Sequence, residues 1–86
     1  MERAAHEVAM LVREHWAPLL RSLIAFSGRV DLAEEALATA CERALSAWAG
    51  QTPAHPIAGI RRTAQRALID ELRHEKAFAR RRHLIA

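Results

Sequence analysis

Residues Asp31–Pro56 read DLAEEALATACERALSAWAGQTPAHP, and the break inside this stretch decides the fold. As far as Trp48, apolar residues return at intervals of three and four: Leu32, Ala33, Ala36, Leu37, Ala40, Cys41, Ala44, Leu45 and Trp48. That spacing is one face of an α-helix. Asp31 is placed to accept the unpaired amide hydrogens of the first turn. Glu34, three residues on, is placed to reach back in a capping box. Gly50 then ends the helix, and GQTPAHP (Gly50–Pro56) has the composition of a loop. Pro56 suits the first position of a further helix, where its missing N–H has no partner to lose.

Working outward toward the C-terminus, a helical pattern continues from Pro56 to about Arg82. At about 100° per residue, Arg66, Arg73, Lys76 and Arg80 lie within about 40° of Arg62, while Ile57, Ile60, Ala64, Ala67 and Leu68 lie on the far side. The segment is therefore an amphipathic helix with one basic ridge, interrupted by Ile69. Toward the N-terminus, Val8, Leu11, Val12, His15, Trp16, Leu19, Leu20 and Leu23 form an apolar stripe on a helix from about Arg3 to Phe26, which Gly28 stops. Pro18 lies inside it, removing a backbone donor and crowding the turn before it, which predicts a kink near 14–17. The expected fold is all-α: a compact bundle of three main helices forming one domain, 1–86.

Composition narrows the function. An apolar fraction of 51% in 86 residues, with three glycines and three prolines, suits a single small core between helices. The lone Cys41 cannot close an internal disulfide, and no apolar run is long enough for a membrane span, so a cytoplasmic protein is expected. The five histidines show no i, i+3 or i, i+4 pair, and no serine has a histidine or acid at motif spacing. Neither a metal site, a cofactor nor catalysis is expected. Charge is uneven: residues 49–86 hold eight basic against three acidic side chains, whereas 1–48 hold five against seven. A basic half beside an acidic half suggests two partner surfaces, the basic one suited to a polyanion. The competing reading of the ridge is an ordinary solvated face, and Trp16 and Trp48 read as core anchors.

Taken in order, these segments resemble a known family. Leu32-Ala33-Glu34-Glu35-Ala36-Leu37 with Glu42-Arg43-Ala44-Leu45 and Trp48 is similar to the second helix of region 2 in sigma-70 factors. Pro56-Ile57-Ala58-Gly59-Ile60 through Ile69-Asp70-Glu71-Leu72-Arg73 resembles the element after it, and His15-Trp16-Ala17-Pro18-Leu19-Leu20-Arg21 resembles the first helix. The resemblance covers nearly the whole chain and points to the extracytoplasmic-function subfamily. The chain departs from the family where a glutamine and an acid are usual (Ala38, Thr39), where a tryptophan is usual (Gly59), and where an Arg-Asn pair is usual (Gln65, Arg66). No stretch resembles the family's second DNA-reading domain, region 4.

The resemblance implies a transcription-initiation role without enzymatic activity. Glu34, Glu35, Glu42 and Arg43 would dock on the β′ clamp helices of core RNA polymerase. The 50–56 loop, with His55, and Arg62, Arg66, Arg73 and Lys76 would hold the non-template strand of the promoter −10 element, a flipped base resting against the loop. An anti-sigma factor or a separate region 4 domain would be further partners. The alternatives are a helix-turn-helix repressor domain on duplex DNA and a helical protein-interaction module with no nucleic-acid role.

Overall fold

The computed structural model describes residues 2–85, which fold into three helices: α1 (Glu2–Ser27), α2 (Val30–Ala47) and α3 (Pro56–Ile85). The expected all-α bundle is observed. Its core takes Leu19 and Leu23 from α1, Leu37 from α2, and Ile60 and Leu68 from α3, each almost fully buried. Burying one such side chain contributes roughly 1.5–3 kcal/mol. On α2 the buried positions are mostly alanine: Ala33, Ala36, Ala40 and Ala44. Their small side chains let the other helices pack close, which is the structural use of the alanine-rich composition.

The turns follow local chemistry. Gly28 takes φ +71°, a conformation costly for residues with a Cβ, and its N–H donates to the Ile24 carbonyl at 2.6 Å. The Ser27 hydroxyl donates to the Leu23 carbonyl at 2.8 Å, and the Arg29 N–H donates to the same hydroxyl at 3.1 Å. At the other junction the Trp48 carbonyl accepts from the N–H groups of Gly50 and Gln51. The His55 carbonyl accepts from Gly59 N–H at 3.1 Å, starting α3.

Two sequence expectations need adjustment. The capping box is not formed: α2 begins one residue earlier, its N-cap is Arg29 without a side-chain cap, and Asp31 lies in the first turn. Asp31 is drawn instead to the Arg29 guanidinium. At Pro18, α1 continues as one helix, so the expected kink does not divide it. Pro18 and Glu14 are both exposed, so the carbonyl left without a donor lies on the solvent side of the helix.

α3 outruns the bundle. Past Leu72 every described side chain as far as Leu84 is exposed. The radius of gyration is 15.2 Å, against about 12 Å for a compact chain of this length. The long dimension is 53 Å, the others 22 and 17 Å. Among the described residues no helix is long and apolar enough to cross a membrane.

Candidate nucleic-acid interface

The ridge on α3 follows from the way the helix is seated. Ile60, Ala64 and Leu68 face the core, which turns the opposite side of the helix to solvent. Arg62, Arg66, Arg73, Lys76 and Arg80 are all exposed there. Both ion pairs among the described residues belong to Arg29, so none of the ridge cations is engaged with a described acid at salt-bridge distance. A polyanion would meet five cations along one line.

At its N-terminal end the ridge meets the loop. Pro53, Ala54, His55, Ala58, Gly59 and Arg62 line an open depression of about 410 Å³. The structure thus brings His55 and Arg62 to one place, although they lie seven positions apart in sequence. Gly59 contributes a floor without a side chain. A Cβ there would stand 3.6 Å from Cζ2 of Trp48, the residue that closes α2. Arg66, Arg73 and Lys76 lie farther along α3, outside this depression.

The candidate polymerase-facing residues Glu34, Glu35, Glu42 and Arg43 are all exposed on α2. They do not form one cluster. Glu35 and Arg43 border a narrow crevice of about 130 Å³ between α2 and α3, shared with Thr39, Asp70 and Glu71. Glu34 is about 100° around the helix from Glu35, on the side nearer α1.

Sequence reasoning did not single out Arg29, Glu75 or Phe26. The Arg29 guanidinium donates through Nη1 and Nη2 to both oxygens of Glu75, at 2.6 and 3.0 Å. Through Nε and Nη2 it also donates to Asp31, at 3.1 and 3.0 Å. The fork ties the α1–α2 junction to α3 just where α3 leaves the bundle. Hydrogen bonds from Arg29 hold the Asp31 and Glu75 carboxyls below the usual carboxylate range, and the two carboxylates push the guanidinium further up. All three groups stand in water, so the pair serves registration more than stability. The sequence carries one cue: Glu75 lies about 220° from Arg62, in line with Ala64 and Leu68, on the side of α3 that faces the bundle.

Phe26, at the end of α1, is 54% exposed. With Ile69, Leu72, Arg73, Lys76 and Ala79 it lines a second groove, of about 520 Å³, beside α3. A third groove of about 470 Å³, lined by Val8, Val12, Trp16, Cys41 and Leu45 among others, lies between α1 and α2. Partial burial pushes the Cys41 thiol pKa up, which makes it a poor nucleophile. Among the described residues no group of three or more His, Cys, Asp or Glu side chains is placed to hold a metal.

No protein-family model, curated protein sequence or solved structure matches this chain.

Proposed function

We propose that this chain is a region 2-like domain of a sigma-70 factor of the extracytoplasmic-function type, which docks on core RNA polymerase and holds the non-template strand of the promoter −10 element. The observation that carries the reading is the position of Arg62. It borders the His55 depression and also begins the exposed row Arg62, Arg66, Arg73 and Lys76. A single strand needs both parts: cations that track its phosphates and a recess for a base taken out of the stack.

Duplex recognition by a helix-turn-helix fits less well. α2 and α3 are separated by the eight residues Trp48–His55, and α3 runs for 30 residues. The motif uses a turn of about three or four residues before a short recognition helix.

Docking on the β′ clamp helices is assigned to the exposed side of α2, with Glu35 and Arg43 as the central pair beside Glu34 and Glu42. Ala38 and Thr39 offer fewer polar groups than the family pattern, so affinity is expected to be lower than for a typical member. The test is capture of the chain by core RNA polymerase. Glu35→Lys with Arg43→Glu should reduce capture while helix content is retained. Undiminished capture by the folded double variant would remove the docking assignment.

A further inference from the structure

We infer that the groove between the end of α1 and α3 receives a second unpaired base, with the Phe26 ring as its platform; this rests on the single-strand reading above and extends it.

Ile69 is the starting point. It interrupts the basic ridge, and an apolar residue there has no role on a simple phosphate-binding face. In the structure Ile69 is half-buried and lines the groove with Leu72 and Phe26. The interruption is therefore an apolar notch with a ring at its wall and with Arg73 and Lys76 at its rim. Arg66 precedes it and Arg80 follows it on the same ridge. A row of cations with an exposed aromatic across a groove at its flank suits a single strand, because every base has a π-face while the phosphates are continuous.

Charge selects the occupant. The one acid lining the groove among the described residues is Glu75, and both of its oxygens are held by Arg29. The groove thus presents a neutralised acid, two cations without an ion pair among the described residues, and a largely apolar floor. An anionic ligand with flat apolar rings suits it, and an unpaired nucleotide has both properties. The spacing gives a site size. From Gly59 in the loop depression to Arg73 at the groove is 14 residues of α3, a rise of about 21 Å. At about 3.4 Å per nucleotide, a stacked strand spans that distance in about six nucleotides.

The test is fluorescence anisotropy of the chain with fluorescein-labelled oligothymidylates of graded length across a salt series. Affinity of the unaltered protein should climb until about six nucleotides. Phe26→Ala should weaken binding of the longer strands by roughly 5- to 150-fold, the effect of losing one stacked base, and leave three-nucleotide strands unaffected. Its salt slope should not change, because phenylalanine neutralises no phosphate. Phe26→Trp should restore affinity. Phe26 is half out of the core, so the fold is expected to survive; circular dichroism checks it. If Phe26→Ala binds every length as the unaltered protein does, while Arg62→Ala with Arg66→Ala weakens all of them, the second platform is overturned and the strand reading stands. If the unaltered protein binds no strand, or neither set of changes matters, both fall. An acidic amphipathic peptide whose binding is lost in Phe26→Ala, with strand binding indifferent to that change, would overturn the platform in favour of a peptide groove.

Discussion

Replacing Arg62, Arg66 and Arg73 together with alanine should flatten the salt dependence of binding to a −10 single strand and leave the fold alone. All three are exposed and none is in an ion pair with a described residue, so their removal uncovers no buried partner among those residues. Alanine also favours the helix. Each phosphate neutralised on a single strand contributes about −0.7 to the slope of log K against log salt, so three contacts contribute about −2. Between about 50 and 200 mM salt, a fourfold rise, the unaltered protein should lose about 20-fold more affinity than the variant. The assay is anisotropy of a labelled −10 oligonucleotide, for the chain assembled with core polymerase, over at least four salt concentrations. The loss should be nearly the same for scrambled sequences, whereas changes at His55 should alter sequence preference. A triple variant with an unaltered slope would refute the reasoning, and a preference of the unaltered protein for duplex over single strand would favour a helix-turn-helix mode instead.

Two further outcomes concern stability. Gly59→Ala should raise the thermal midpoint by up to about 8 °C, because it replaces a glycine in the first turn of α3, where glycine costs at most the roughly 0.5–1 kcal/mol it costs mid-helix, and its Cβ meets Trp48 only at 3.6 Å, ordinary contact distance; a lowered midpoint in calorimetry would mean that the junction of α2 and α3 is packed too tightly for a methyl group. Glu75→Gln should lower the midpoint near neutral pH and converge with the unaltered protein in acid. Hydrogen bonds from Arg29 depress the Glu75 carboxyl, so its contribution is complete above the ordinary carboxylate range and is lost as pH falls through the depressed value. Curves of midpoint against pH that run parallel down to about pH 3 would show that the ion pair does not form in solution.

The helices were legible because their apolar residues recur at helical spacing and their ends carry local signals. Gly28, Gly50 and Pro56 punctuate the chain where the helices stop and start. The basic ridge was legible for the same reason: residues opposite Ile60, Ala64 and Leu68 had to face water. What could not be read was which partner a charged side chain finds across the bundle. Asp31 carries a strong capping signal, but Arg29 offers it two hydrogen bonds from a charged donor, and these outweigh a cap. Glu75 lies 46 positions from Arg29, so only the packing of α3 on the α1–α2 junction brings them together. Phe26 stayed obscure for a similar reason, since it reads as the last apolar residue of a stripe and its exposure depends on where α3 passes.

The unburied end of α3 gives the molecule an electrical lever. Its twelve described positions 73–84 extend for about 18 Å, more than two Debye lengths at physiological ionic strength. Arg80, Arg81 and Arg82 near the tip follow Glu75 by five to seven positions, a rise of about 8–11 Å, so Asp31 and Glu75, both held by Arg29, offset them only in part. Near a polyanion the exposed basic tip is attracted from about one Debye length away. Charges at the tip therefore act chiefly on how often encounters are productive, while the cations beside the loop act on how long the complex lasts.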